Sequence, residues 1–335
     1  MDVKESRIML TGLKLQVYDF LGRKEFFRRM ALRKMWQSFI MADQDGEAVE
    51  SAQLVPGWFA GLVMGGESYF LKEGGFGGFD KLSYTDSNTA YGNLLSFQYK
   101  PGHVDAECVP SYVPLAITGV EVKEDSVVFS ERGVGGGPDL IRMWANSARR
   151  YVETPLKGGG ASFEIEYPLY RKVVIAVDDT DSSVKGATFS TALQIATILD
   201  KVFKDARFLR MTISFNWPQN PDKTTNNASS ALVFAVKPGK EEELVSRFEK
   251  LVRKYTISKE TGMAVMNRVR APQQLKDYAM RVKSVHVDVS ETYKVAKQTG
   301  VRPIPITGER GLIGAFSAVG LVDQSGKAVT PLGKS

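Results

Sequence analysis

The sequence predicts an α/β fold of the α+β kind, arranged as two domains. Three observations carry that prediction. Apolar runs of strand length, such as Val173 to Val177, are followed by stretches of helical periodicity, such as Thr188 to Phe203. Gly158-Gly159-Gly160 separates two halves of different composition. The 335 residues, 43% of them apolar, suffice for two ordinary cores. The predicted division is residues 1–160 as an N-terminal α/β domain with glycine-rich loops, 161–325 as a second domain and 326–335 as a tail.

In the N-terminal half, residues 8–19 suit a strand or a short helix. Residues 24–41 have helical spacing through Phe27, Met30, Ala31, Met35 and Phe39. Arg23, Lys24, Arg28, Arg29, Arg33 and Lys34 give that helix a basic face, suited either to RNA or acidic lipid or simply to water. Residues 56–80 are rich in glycine and aromatics, as in Leu71 to Asp80. Val113 to Val120 and Ser126 to Ser130 are predicted strands. A second glycine loop, Glu131 to Asp139, feeds a helix through Leu140, Ile141, Met143 and Trp144. Such a loop is a physical anion site, but no Gly-Lys-Ser/Thr follows it.

In the second half, Ser162 to Tyr167 and Val173 to Val177 are expected strands. Helix 188–203 follows, with an apolar stripe through Ala192, Ile195, Ala196, Leu199, Val202 and Phe203. Strands at 208–215 and 231–236 flank a polar loop, and residues 241–255 form an amphipathic helix through Leu244, Val245, Phe248, Leu251 and Val252. The alternation resembles a split βαβ layout without fixing strand order. Gly262 and Gly300 are predicted end caps.

Composition excludes several chemistries. One cysteine, Cys108, leaves no intrachain disulfide framework and no multi-cysteine zinc or iron–sulfur site. The two histidines, His103 and His286, argue against histidine-rich metal chemistry. No stretch has the length and apolarity of a membrane span, and the charged N-terminus does not read as a signal peptide, so a cytoplasmic protein without a membrane partner is expected. The net charge of +6 is compatible with anionic partners such as nucleotides or RNA.

The strongest candidate site is Asp178-Asp179-Thr180-Asp181-Ser182-Ser183, where an apolar strand ends in three carboxylates and a row of hydroxyls. In α/β proteins the carboxyl edge of a sheet is where ligands bind. Carboxylates this close repel one another unless a cation or strong donors neutralise them. An all-oxygen set favours Mg2+, commonly held by one or two carboxylates together with substrate phosphates. A solvated acidic turn is the competing reading. Lys223, Asn226 and Asn227 lie in a loop that offers a charge and amides to a nucleotide, or is a simple polar hairpin. Arg310-Gly311 opens the run to Gly320. There Arg310 offers a rigid fork to phosphoryl oxygens, or only marks the wet start of a glycine-bounded buried helix packed through Gly314, Ala315 and Ala318.

Taken together, Asp178-Asp179-Thr180-Asp181-Ser182, Lys223-Thr224-Thr225-Asn226-Asn227-Ala228 and Arg310-Gly311-Leu312-Ile313-Gly314-Ala315 resemble the archaeal tRNA-isoleucine agmatinylcytidine synthetase in order and approximate spacing, over roughly residues 170–322. The whole chain also resembles methanogenesis marker protein 11. The synthetase resemblance implies a mixed-sheet, kinase-like domain that uses ATP and Mg2+ to activate an acceptor by phosphoryl or nucleotidyl transfer. It implies Asp178, Asp179 and Asp181 as metal-holding residues, and Asp179, Asp181 and Arg310 in catalysis. Thr180, Ser182, Thr188, Lys223, Asn227 and Gly311 would contact the nucleotide. Thr188 stands where that family has a threonine able to accept phosphate, although the surrounding motif departs from the family's cysteine-containing version. This chain does not show the synthetase's C-terminal OB-fold and cysteine-rich zinc module, which puts tRNA recognition in doubt. The acceptor is therefore left as a small molecule, an RNA or a protein, and a homo-oligomer is left open. The rival expectations are a non-catalytic nucleotide-binding or assembly factor and an RNA-binding or RNA-modifying protein.

Overall fold

The computed structural model describes residues 37–55, 87–89, 92–108, 114–223 and 227–330. The predicted elements at 8–19, the basic segment 23–36 and the glycine-aromatic stretch 56–80 lie outside the described residues. The α/β (α+β) class expected from the sequence is the class observed. Two compact units divide the chain. One contains described residues 37–41 and 45–169, the other 42–44 and 170–330.

In the first unit the strands are β1 (Gln37–Ala42), β2 (Val49–Val55), β3 (Ser87–Thr89), β4 (Gly92–Tyr99), β5 (Gly102–His103), β6 (Leu115–Val122) and β7 (Ser126–Gly133). Helix α1 (Gly137–Trp144) then leads to β8 (Arg150–Pro155) and to β9 (Ala161–Asp178). The helix expected through residue 41 is corrected at its end. Residues 37–42 are strand, with side chains that alternate between half-buried and buried over the first four positions. Phe39 and Ile40 favour that pleated, half-covered setting. β7 pairs antiparallel with β6 and with the first part of β9, and β8 pairs with β9 on its other side. The three glycines at 158–160, all with φ near +90°, turn the chain from β8 into β9. Gly160 packs so closely on the Gly133 carbonyl that no side chain fits there. The two strands expected at 162–167 and 173–177 are one continuous strand. Pro168 sits in it where β7 pairing ends, and pairing with β11 begins at Arg171.

Glu50 and Glu131 are the buried acids among the described residues of this unit. Glu131 on β7 is 3% exposed, and its Oε2 accepts from the Trp144 indole at 3.0 Å. Burial pushes its carboxyl up to about 8, against the opposing pull of that indole bond. The folded unit therefore keeps a proton that the unfolded chain releases above its ordinary carboxyl value. Stability falls as pH rises from about 4.5 toward 8. Glu131→Gln is expected to flatten that slope and raise the stability of this unit at pH 9 by a few kcal/mol, because each tenfold change in proton affinity is worth about 1.4 kcal/mol. Hydrogen exchange of the β6 and β7 amides at pH 5 and pH 9 measures it, and an unchanged slope in the variant refutes it.

The second unit begins within β9. It continues through α2 (Thr188–Val202), β10 (Ala206–Phe215), β11 (Ala228–Val236), α3 (Glu241–Tyr255) and β12 (Gly262–Met266). It ends with α4 (Gln273–Val282), α5 (Val289–Thr299), β13 (Arg302–Pro305), α6 (Gly311–Gly320) and α7 (Ser325–Val329). The sheet order is β10-β11-β9-β12-β13, and each of these pairings is antiparallel. The succession β9-α2-β10-β11-α3-β12 with that order is a double split βαβ, extended on one edge by β13.

Both faces of this sheet are covered, which explains the unbroken apolar run in β9. Val173, Ile175 and Val177 pack with Leu232, Phe234 and Val236 of β11 against Ala192, Ile195 and Leu199 of α2 and Leu244, Phe248 and Val252 of α3. The alternate side chains of β9, Val174, Ala176 and Asp178, face the side covered by α6, where Leu312, Ala315, Phe316, Ala318 and Val319 are buried. Charges suit the helix ends. Glu241, Glu242 and Glu243 open α3, and Arg253 and Lys254 close it. Asp288 caps α5 by accepting from the Ser290 amide at 2.8 Å, and Gly300 ends that helix at φ 71°. Gly262 is not the end cap expected from the sequence. It opens β12, where a β-carbon would collide with the backbone of Gly311 and Leu312. β12, β13, α4 and α5 were not anticipated from the sequence. Among the described residues no helix is long and apolar enough to cross a membrane.

Candidate nucleotide site at the carboxyl end of strand β9

β9 ends at Asp178, and the chain turns sharply at once. Asp179 has φ 54°, a left-handed conformation costly for most side chains but tolerated by Asp and Asn. The turn is held by its own side chain and by a distant loop. The Asp179 amide donates to Asp178 Oδ1 at 2.8 Å. Thr261 Oγ1 donates to the Asp179 carbonyl at 2.6 Å, and the Ile257 amide donates to the Thr180 carbonyl at 3.1 Å. Carbonyls that the sheet no longer pairs thus find partners in residues 256–261.

The sequence-predicted residues fall into two groups. Asp178, Asp179, Thr180, Asp181, Thr188, Arg310 and Gly311 are brought together. The Thr180 amide and hydroxyl both reach Thr188 Oγ1, at 3.2 and 3.3 Å, and Thr188 Oγ1 reaches Asp181 Oδ1 at 3.4 Å. The first residue of α2 is therefore tied into the acidic turn. Arg310, 131 positions further along, places its Nε 3.5 Å from Asp179 Oδ2. The Gly311 amide donates to the Glu260 carbonyl at 2.8 Å, and a β-carbon on Gly311 would stand 2.8 Å from the Asp178 carbonyl. Ser182 serves the turn itself, its amide donating to the Lys185 carbonyl at 2.9 Å.

Lys223 and Asn227 belong to the second group. Lys223 is exposed and donates to the Pro218 carbonyl within its own loop at 2.6 Å. Asn227, at φ 50°, donates from its side chain to the Trp217 carbonyl at 2.7 Å and accepts the Asn216 amide on its own carbonyl at 2.9 Å. Both hold the β10–β11 connection. These bonds lie within that connection and do not reach the acidic turn.

The site contains residues that the sequence did not single out. Asn216 is buried, accepts from Ser317 Oγ at 2.9 Å and donates to Ser229 Oγ at 3.4 Å. Glu260 brings a further carboxylate, whose Oε2 accepts from the Arg310 amide at 3.4 Å. No sequence signal marks either. A lone asparagine after a strand reads as loop, and a lone glutamate reads as surface.

Electrostatics follow from burial. Asp178 is 9% exposed, and burial holds its carboxyl well above the usual range. The charges of Asp179 and Asp181 add to that, while the Asp179 amide and Arg310 oppose it. The Asp179 carboxyl is also pushed up, first by burial. Arg310 works against that, by charge and by its hydrogen bond, while Asp181 and Glu260 reinforce it. The turn thus gathers carboxyls raised chiefly by burial and only partly offset by Arg310. Among the described residues no three His, Cys, Asp or Glu side chains form a metal-holding group by themselves. The carboxyl oxygens of the turn are hard donors of the kind that hold an ion together with phosphate oxygens.

One relative settles the family. The uncharacterized protein MJ0921 of Methanocaldococcus jannaschii is 33% identical over 237 residues, covering 69% of this chain and 78% of that protein. The chain belongs to the MJ0921 family. No family model matches it. Solved structures with similarity include the complex of TiaS with an isoleucine tRNA and ATP, at 22% identity over 45% of this chain with a TM-score of 0.41. Apo TiaS, a tRNA agmatidine synthetase, is 21% identical over 44% of this chain, with a TM-score of 0.39. A tRNA fluorescent labeling enzyme is 22% identical over 44%, with a TM-score of 0.41. The chain spans about a third of the length of these proteins, 36%, 35% and 36% respectively. The MJ0921 relationship, by contrast, spans most of both partners.

Proposed function

We propose that this member of the MJ0921 family binds ATP with Mg2+ at the turn after β9 and transfers a phosphoryl or nucleotidyl group to an acceptor. The observation that carries the reading is the meeting of Asp179 and Arg310, which come from opposite ends of the unit. A carboxylate pair for an ion and a guanidinium for phosphoryl oxygens are the two parts such chemistry requires side by side. When bound, the ion would neutralise phosphate charge and orient the transferred group. Asp179 and Asp178 would hold it, Asp181 and Thr188 would fix the turn from the helix side, and Arg310 would face the charge that builds on the phosphates.

The motif resemblance to the agmatinylcytidine synthetase supports the same reading for residues 170–322. The whole-chain resemblance to methanogenesis marker protein 11 supports an acceptor connected with methane production, whether a small molecule, an RNA or a protein. The test is titration calorimetry of the full chain with ATP and Mg2+, followed by a turnover assay. Saturable heat and consumption of ATP are expected. Heat without turnover would mark a nucleotide-binding factor. No heat and no thermal shift would overturn the reading.

A further inference from the structure

We propose that Asn216 is a positioning residue: its carboxamide, aimed by Ser317, fixes the Asp178 carboxylate against α6. The role in turnover rests on the nucleotide reading above, while the positioning itself does not. Four observations support it. First, Asp178 Oδ2 stands where a β-carbon on Gly314 would be, so the carboxylate lies directly on the helix backbone and only glycine leaves room for it. Second, Asn216 Nδ2 is 3.1 Å from that same β-carbon position, which sets the amide beside the carboxylate.

Third, the amide cannot present its oxygen to the carboxylate without losing a bond. Oδ1 is engaged by Ser317 Oγ at 2.9 Å, which turns the two N–H donors the other way. Nδ2 donates to Ser229 Oγ at 3.4 Å, and that same NH2 end lies on the side of the Asp178 carboxyl. Fourth, this corner is polar and closed. Asn216, Ser229 and Ser317 are at most 5% exposed, and Ser214, opposite Ser229 in the β10–β11 register, is fully buried with an unpartnered Oγ. A buried carboxylate in such a corner is held by the donors that surround it. Asp178 Oδ1 takes the Asp179 amide, and on the Oδ2 side, over Gly314, the neighbouring side-chain donor is Asn216 Nδ2.

A residue that orients a metal- or phosphate-facing carboxylate in this way typically contributes about 10–100-fold in affinity or activity. The experiment uses the full chain and has two independent readouts. The first is the crystal structure of Asn216→Ala without nucleotide. Asp178 is expected to rotate off Gly314, and an Asp178 side chain left in place overturns the proposal. The second is turnover of ATP with Mg2+. Asn216→Ala is expected to lower kcat about 10–100-fold with a much smaller change in KM. Ser317→Ala is expected to lower it less, and the double variant should be no worse than Asn216→Ala alone, because both act through one amide. Unchanged kcat in Asn216→Ala, or additive losses in the double variant, overturns the role in turnover. If Asn216→Ala does not fold, Ser317→Ala carries both readouts, since it removes only the hydroxyl that aims the amide. If the unmodified chain neither binds nor consumes ATP, the nucleotide reading fails, and the crystallographic readout still decides whether Asn216 positions Asp178.

Discussion

Asp179→Asn is expected to abolish ATP binding with Mg2+ while the protein stays folded. Both halves of that result follow from the local structure. Asparagine is among the few residues that tolerate the left-handed turn at φ 54°, so the backbone has no reason to move. The Thr261 bond to the carbonyl of residue 179 and the amide bond to Asp178 Oδ1 involve main chain of that residue and survive the substitution. Removing a carboxylate beside Asp178 and Asp181 also relieves repulsion within the acidic turn. What is lost is one of the two carboxylates that would hold the ion and the partner of Arg310. A direct ligand should cost at least the ~100-fold upper range seen for outer partners. Arg310→Lys should lose less binding than Asp179→Asn, since a point charge remains but the fork does not. Calorimetry and thermal denaturation of each variant decide the matter. Unchanged ATP turnover in Asp179→Asn would remove the basis for the proposed enzyme.

The second large effect concerns stability and lies elsewhere in the same unit. Asp323 is paired with Lys172 at 2.9 Å and with Arg210 at 2.6 Å, and the two cationic side chains are at most 1% exposed. Lys172 also donates to the Val269 carbonyl at 2.8 Å, and Arg210 reaches Thr212 at 3.2 Å and the Val322 carbonyl. Asp323→Ala removes the carboxylate that Lys172 and Arg210 share, and breaking a buried ion pair typically costs about 3–5 kcal/mol. For a unit of this size that is a fall of roughly 6–20 °C in Tm. Burial alone would raise the Asp323 carboxyl. Lys172 and Arg210, by charge and then by hydrogen bonds, hold it below the usual range instead. Its contribution is therefore complete above the unfolded-chain value near 4 and is lost as pH falls through the lower folded value. Acid denaturation should show a transition in the wild type that is missing in the variant. A triple exchange of Asp323, Lys172 and Arg210 for apolar residues of similar volume should recover most of the loss. Equal stability of Asp323→Ala and wild type would show that the triad contributes nothing.

The legible part of this molecule is the part whose signals are local. The Val173 run was readable because a strand covered on both faces needs no polar positions, and the carboxylates after it stand out against that background. Helices α2 and α3 declared themselves by periodicity, and the small residues of α6 announced close packing. Strand order was not readable, because β10 and β11 form a local hairpin while β12 must cross to the far side of β9. The Asp179–Arg310 contact joins residues 131 apart, which motif order suggests and no spacing rule determines. Lys223 and Asn227 drew attention by side-chain type, whereas Asn216, at the end of β10, has the buried position. Burial separates polar residues that one stretch of sequence presents alike, and burial is a property of the fold.

The uninterrupted course of β9 has a practical corollary for dissecting the protein. The glycine turn at 158–160 looks like the natural place to cut, yet a fragment ending there would lose the strand that pairs with β7 on one side and β8 on the other. Two sheet edges with unpaired amides and carbonyls would be laid open, a recipe for precipitation rather than for an isolated module. Expression fragments of the first unit should run at least through Pro168, because the chain leaves that unit inside a strand rather than along a leash.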